Sequence, residues 1–231
     1  KYGFIANGLF QSEEEIANSA TVKGYKALPG YIKYVDRNGD GIITAAQDQG
    51  YVGKSATPKH TGSLNLFGNW KGFDFDLLFS WGLGNVVALT GQYTASGSVG
   101  TQDNTSFTKP FYHGGNSPTF LVENSWTPDN TNAEFPRLEI SGPSNNNGFS
   151  STFWYRNGNY MRLKTAQIGY NFPKKWLTPA GIEGLRLYVE GYNLLTFSGL
   201  TKYNIDPESP AVNNGYYPQQ RTYTLGVKLT F

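Results

Sequence analysis

Hydrophobic and polar residues alternate strictly at the end of the chain. Over 223–231, large apolar residues occupy every odd position, while small or polar residues occupy every even position. A period of two places successive side chains on opposite faces of a β-strand. The pattern therefore predicts a strand with one apolar and one polar face.

Four further segments predict strands, at 61–70, 73–81, 160–172 and 185–197. In 73–81 the aromatic residues share one face, while Asp74 and Asp76 lie on the other. Carboxylates are costly in a dry core but are tolerated in a water-filled lumen. The alternation in 160–172 changes phase near Thr165, so we expect a β-bulge there.

The connections between these strands alternate in length. The connections 71–72 and 173–184 are short, whereas those near 82–158 and 198–220 are long. Membrane barrels have short periplasmic turns and long extracellular loops. A last strand that runs toward the periplasm puts every connection on the expected side. This predicts an all-β fold, a transmembrane antiparallel β-barrel in the outer membrane of a Gram-negative bacterium.

Five strands are too few to close such a barrel, because about 8 is the small end and about 22 is typical of plugged transporters. An open sheet edge is also unsatisfied in lipid. We therefore expect the C-terminal segment, of about five strands, of a larger barrel of about 22 strands. Residues 1–60 are expected to hold the end of a barrel strand and an extracellular loop. Residues 61–231 are expected to hold the C-terminal strands with their long extracellular loops.

Composition supports this prediction and excludes other classes. Charged residues make up 16% of the chain, against about 25% in soluble domains, and aromatic residues also make up 16%. A net charge of +2 without a basic patch argues against nucleic-acid binding. Cysteine is absent, which rules out disulfides and cysteine metal sites. No catalytic motif is present, so we expect no enzyme activity.

Residues 36–48 resemble an EF-hand-type calcium loop. Oxygen-bearing side chains stand at loop positions 1, 3 and 5, and Gly41 stands at position 6. Position 12 is Gln47, so the acid one residue later is the candidate for the last ligand. The predicted Ca²⁺ ligands are Asp36, Asn38, Asp40, Ile42 (through its carbonyl) and Asp48. The alternative is an Asp-, Asn- and Gly-rich turn that binds no ion.

An ordered series of short motifs resembles the C-terminal end of the SusC/RagA family of TonB-dependent outer-membrane transporters. They are 8–11 (GLFQ), 29–34 (PGYIKY), 71–74 (KGFD), 126–130 (WTPDN), 135–138 (FPRL), 160–164 (YMRLK), 185–188 (LRLY), 191–194 (GYNL) and 217–219 (YPQ), before the terminal Phe231. The calcium-like loop and Lys54-Ser55 depart from the family pattern. The order and spacing over nearly the whole chain carry the resemblance.

The resemblance implies import of nutrients, usually oligosaccharides and sometimes peptides. Its implied partners are a SusD-like surface lipoprotein over the barrel mouth and TonB, which acts on a plug that we expect outside these residues with the remainder of the barrel. Outer-membrane lipid would cover the apolar face. Trp126 and Trp154 are candidates for stacking on a sugar, or else they pack within the long loop. The alternative function is a soluble or surface-attached calcium-dependent carbohydrate-binding β-domain.

Overall fold

The computed structural model describes residues 2–53, 55–89, 119–138, 146–209 and 219–231. Most of the regular structure in these residues is β-strand, and the helices are short. The contacts divide the chain into two compact units. The first unit is Lys1–Lys54 with Val87–Arg156, and the second is Ser55–Val86 with Asn157–Phe231. Parts of both predicted long loops, at 90–118, 139–145 and 210–218, lie outside the described residues.

The second unit contains a five-stranded antiparallel sheet. Its strands are β7 (His60–Trp70), β8 (Phe73–Leu83), β11 (Tyr160–Asn171), β12 (Gly184–Ser198) and β13 (Thr222–Thr230). Their order in the sheet is β13-β12-β11-β8-β7. All five predicted strands are confirmed, and each end falls within two residues of its predicted position. Strong local alternation explains this accuracy.

The predicted irregularity in β11 is confirmed. The pairing of β11 with both β12 and β8 shifts register between Leu163 and Thr165. Leu163 faces Phe79 of β8 and Ala166 faces Leu77, so the shift keeps both apolar residues on one face. Without the extra residue, Leu163 and Ala166 would point to opposite faces of the sheet, because they are three positions apart. The bulge therefore keeps the apolar residues before and after it on the same face.

A two-residue turn joins β7 to β8. Trp70 pairs directly with Phe73, and the intervening Lys71 and Gly72 have φ angles of 50° and 90°. Positive φ at both central residues is typical of a type I′ turn, which matches the twist of the flanking strands. The Lys71 ammonium lies 4.8 Å from the centre of the Trp70 ring. The predicted tight hairpin is thus confirmed.

The first unit is built from short strands that pair across long sequence distances. They are β1 (Tyr2–Gly3), β2 (Ala6–Leu9), β3 (Thr21–Val22), β4 (Ile32–Tyr34), β5 (Ile42–Ile43) and β6 (Gly50–Tyr51). β1 pairs with β6 and β2 with β4 antiparallel, whereas β3 pairs with β5 in parallel. β9 (Val86–Ala88) and β10 (Tyr155–Asn157) complete the described strands.

Aromatic packing provides much of the first unit's core. The Phe4 ring lies 5.1 Å from Tyr34 and 5.6 Å from Phe149, measured between ring centroids. Phe4 and Tyr34 are almost fully buried. The Tyr34 hydroxyl donates to the carbonyl of Asn146 at 2.8 Å, and burial raises the pKa of this hydroxyl. Residues near the start of the chain are thereby held against residues near 150.

The helices lie in the connections. They are Glu13–Ala17, Ala45–Asp48, Thr119–Glu123 and Lys174–Leu177, with 3₁₀ turns at Thr152–Trp154, Thr178–Ala180 and Thr201–Tyr203. The Ser12 hydroxyl caps the first helix by accepting the Glu15 N–H at 3.1 Å. Within the described residues, no helix has the length and apolar character needed to cross a membrane.

Candidate functional site

One face of the five-stranded sheet is apolar and exposed. On β13, Tyr223, Leu225, Val227 and Leu229 all point to this face, and Leu225 is 76% exposed. The strand registers place further exposed apolar residues on the same face: Leu64, Leu66, Trp70, Phe73, Phe75, Leu83, Met161, Ile168, Leu187, Val189, Leu195 and Phe197. Water-soluble proteins rarely expose a continuous apolar patch of this extent. The face has the chemistry of a surface that contacts lipid or another apolar partner.

The opposite face of the sheet is mostly polar, with Phe67 as an exposed exception. Asp74 of β8 accepts hydrogen bonds from Arg186 Nε at 2.9 Å and from Asn171 Nδ2 at 2.7 Å. Arg186 Nη2 also contacts Asp74 and donates to Gln167 Oε1 at 2.7 Å. The carboxylate that the sequence placed on the polar face is therefore paired and hydrogen-bonded. Such a network suits an aqueous environment.

A buried charge network lies elsewhere on the polar face. Arg162 of β11 is 2% exposed and places Nη2 at 2.7 Å from Asp206 Oδ1. Its Nη1 lies 2.8 Å from Glu208 Oε2, an ion-pair contact that lacks hydrogen-bond geometry. Lys164 also pairs with Glu208, at 2.9 Å. The network holds the segment after β12, which carries Asp206 and Glu208, against the polar face of the sheet. Sequence analysis did not find it, because the partners are 44 residues apart and no local pattern links them.

The predicted calcium loop forms a tight turn that its own side chains stabilise. Asp36 accepts the backbone N–H groups of Gly39 and Gly41, each at 2.8 Å. The Gly41 N–H is the main cause that lowers the pKa of Asp36. Asn38 and Asp40 are joined by a hydrogen bond of 2.8 Å between their side chains.

Asp48 has a different environment from the other predicted ligands. It is fully buried, and its two carboxylate oxygens accept the N–H groups of Arg37 at 2.8 Å and Thr44 at 2.7 Å. Among the described residues, no group of three or more His, Asp or Glu side chains is arranged to hold a metal ion. Asp48 thus joins the two ends of the loop. Calcium binding, with Ile42 as a carbonyl ligand, stays a prediction.

Both tryptophans named as candidate sugar contacts are packed inside the first unit. Trp154 is fully buried, and its Nε1 donates to the carbonyl of Asn147 at 2.7 Å. Trp126 is 5% exposed, and its Nε1 donates to Gln11 Oε1 at 3.0 Å. The packing alternative therefore describes these rings in this structure. Sugar stacking by either ring stays a prediction and needs the ring to become exposed.

Comparison with known proteins identifies relatives along the whole chain. TonB-dependent receptor P3 of Formosa agariphila is 31% identical over 244 residues, covering 100% of this chain and 22% of the relative. TonB-dependent receptor P26 of the same organism is 29% identical, covering 97% of this chain and 22% of the relative. The chain thus spans about a fifth of the length of these curated relatives. No family model matches the chain.

Solved structures give the same fold. The RagAB peptide transporter superposes with a TM-score of 0.62 at 24% identity, covering 100% of this chain and 22% of that one. The open-open state of the RagAB peptide importer gives a TM-score of 0.61 at 23% identity, with the same coverage. The mostly β-strand fold of this chain therefore matches the barrel portion of TonB-dependent receptors.

The curated relatives and the ordered motifs of the sequence together assign the chain to the TonB-dependent receptors, and its solved structural neighbours are RagAB importers. The relatives bear the names of receptors and importers, and none is named as an enzyme. This is consistent with the prediction that the chain catalyses no reaction.

Proposed function

We propose that this chain forms part of an outer-membrane, TonB-dependent importer of oligosaccharides or peptides. The exposed apolar face of the five-stranded sheet is the observation that carries the proposal. A lipid-facing role explains why residues such as Leu225 and Val189 lie in the open on adjacent strands. A soluble carbohydrate-binding β-domain would leave this face without a partner.

The two faces of the sheet have matching roles in this proposal. The apolar face contacts lipid, and the face with Asp74 and Arg186 lines an aqueous interior. Trp70 ends β7, and Trp176 lies in the connection between β11 and β12, so both are at the same end of the sheet. They are 70% and 59% exposed. Aromatic rings at this level are typical of the boundary between lipid and water.

A SusD-like surface lipoprotein is the proposed partner on the outer side. The similar solved structures are those of the RagAB peptide importer in open-open and closed-closed states. We assign the lipoprotein contact to the loops that the sequence places outside the membrane, including segments of the first unit. TonB would drive import through a plug region of the complete receptor. Both glycans and peptides remain candidate cargoes, because the curated relatives' names specify no substrate.

Purification of the complete receptor from outer membranes tests the proposal. We expect the receptor to need detergent to remain monodisperse and to co-purify with a lipoprotein. An unrelated outer-membrane protein purified in the same detergent is the control for adventitious lipoprotein. A receptor that remains monodisperse without detergent, or that brings down no more lipoprotein than the control, would contradict the proposal.

A further inference from the structure

A small polar pocket lies within the second unit, on the polar side of the sheet. It has a volume of about 150 Å³. The residues that matter for its chemistry are Arg162, Asn193, Thr196, Asp206 and Arg221. This volume admits a single functional group with a small substituent, rather than a whole oligomer. The pocket is thus a place for one polar group of a larger ligand.

Strand pairing brings two guanidinium groups to this pocket from opposite sides of β12. Arg162 of β11 pairs with Thr196 of β12. Arg221 directly precedes Thr222, the first residue of β13, which pairs with Tyr192 of β12. Both arginines line the pocket, together with Asn193 and Thr196 of β12. One arginine from β11 and one from the position just before β13 therefore line the same small pocket.

Asn193 of β12, which also lines the pocket, has an irregular backbone conformation. Asn193 has a φ angle of 52°, an uncommon left-handed conformation for a residue with a side chain. Its Nδ2 donates to Gln219 Oε1 at 3.2 Å and to the carbonyl of Gln220 at 3.1 Å. The segment that carries Arg221 is thereby fixed to β12. Non-glycine residues in this conformation are frequent at binding sites.

Arg162 is buried, yet its hydrogen-bonding capacity is not fully used. The side chain is 2% exposed, and its Nε has no hydrogen-bond partner among the described residues. A buried donor without an acceptor costs free energy, so native proteins usually supply a partner. The pocket lining therefore includes a buried guanidinium that has fewer acceptors than donors among the described residues.

The local charges also do not balance. The network and pocket contain three cations, Arg162, Lys164 and Arg221, but only two carboxylates, Asp206 and Glu208, so one positive charge is left without a counter-charge. Arg221 is exposed and forms no ion pair with any other residue that the structure describes. One monoanionic group would neutralise the site. A dianionic group would give the site a net negative charge, and the Asp206 carboxylate would repel it.

We propose that this pocket binds a carboxylate group of the transported ligand, with Arg221 as its main contact. The inference rests on the proposed import function and narrows its substrate class to carboxylate-bearing molecules. A planar carboxylate matches the planar fork of a guanidinium, which donates two parallel hydrogen bonds. The carboxylate comes from the C-terminus of a peptide or from an acidic sugar.

Calorimetric titration of the complete receptor in detergent tests this inference. The probes are two matched pairs: N-acetyl-dialanine against its C-terminal amide, and glucuronate against glucose. Within each pair only the carboxylate differs appreciably. We expect the acid of at least one pair to bind about tenfold more tightly than its neutral counterpart, because charge-assisted hydrogen bonds are the stronger kind. The pair that shows the preference identifies the source of the carboxylate.

Two variants separate ligand binding from a purely structural role. Arg221→Gln removes the guanidinium that has no ion-pair partner among the described residues, but leaves the ion pairs of Arg162 in place. Lys228→Gln is the matched control, because it removes a cation from the polar face of β13 outside the pocket. We expect Arg221→Gln to reduce the acid preference to less than about twofold and Lys228→Gln to preserve it. Unchanged electrophoretic mobility of unheated samples shows that both variants are folded.

Three outcomes would overturn the inference: no probe binds, acids and neutral probes bind equally, or the preference survives Arg221→Gln. These outcomes are distinguishable from a failure of the proposed function. Outer-membrane location and lipoprotein co-purification do not depend on Arg221. A receptor that meets both criteria but shows no acid preference refutes only the carboxylate site.

Discussion

The assignment of the apolar face can be tested with a single charge on β13. We expect Leu225→Arg to destabilise the folded receptor strongly. Leu225 is the fourth residue of Thr222–Thr230 and stands next to Gly226, the central residue. It pairs with Val189 and is 76% exposed, so no neighbour hinders a longer side chain sterically. Any large effect must therefore come from what surrounds the face.

The length of β13 gives the expected size of the destabilisation caused by Leu225→Arg. Nine residues at about 3.4 Å each span about 30 Å, and a tilt of about 40° reduces this to a depth of about 23 Å. This is close to the height of the apolar band of a membrane barrel, about 25 Å, so Leu225 would lie near the midplane of the bilayer. Arginine there costs about 2–4 kcal/mol. At a water-exposed surface, the same change would alter the unfolding free energy by at most about 0.5 kcal/mol.

Urea unfolding of the receptor in lipid vesicles measures this difference. Tyr223→Arg, near the strand end on the same face, should cost only about 0–1 kcal/mol. Thr224→Arg, on the polar face of the same strand, should change stability by at most about 0.5 kcal/mol. If Leu225→Arg is as stable as Thr224→Arg, the face does not meet lipid and the membrane assignment is wrong.

Further predictions concern the packing of the sheet and the 36–48 loop. Gly226→Leu should destabilise the sheet by about 1–3 kcal/mol, because a Cβ there would collide with the Tyr188 ring; an unfolding midpoint equal to that of the parent would contradict this contact. Asp48→Ala should cost about 1–3 kcal/mol locally, since two N–H groups lose their acceptor; limited proteolysis should cut the loop faster than in the parent. The Gly41 N–H lowers the pKa of Asp36 below 3.8, so its stabilising effect is complete above about pH 4 and is lost as the pH falls through the lowered pKa. Protease sensitivity of the loop should rise with that titration, and Asp36→Asn should remove the pH step. Chelation of calcium should increase protease sensitivity in the same loop, and an unchanged cleavage pattern would refute the metal prediction.

The sheet was largely predictable from the sequence because its determinants are local. Alternation with a period of two identifies a strand and its apolar face without knowledge of any partner. The phase change near Thr165 predicted the bulge, and Lys71-Gly72 predicted the hairpin turn. Because many residues on both faces of this sheet are exposed, little long-range packing competes with the local pattern.

The candidate sites were less predictable because their contacts are remote in sequence. The motif at 36–48 identified a loop, but only the tertiary structure shows that Asp48 is buried and joins the loop's ends. Likewise, sequence left open whether Trp126 and Trp154 are accessible, and burial depends on segments far away along the chain.

The sequence by itself determined the strands, their two faces and the family resemblance, since each depends on residues that are close together or on the order of short motifs along the chain. The tertiary structure alone decided that Arg162 meets Asp206 and Glu208, and that Arg221 reaches the same pocket. Antiparallel pairing on the two sides of β12 brings the two arginines to one pocket, and the segment after β12 folds back to supply the two carboxylates. Strand register depends on the whole sheet rather than on any one strand. The chemistry of the pocket is therefore a property of the folded chain.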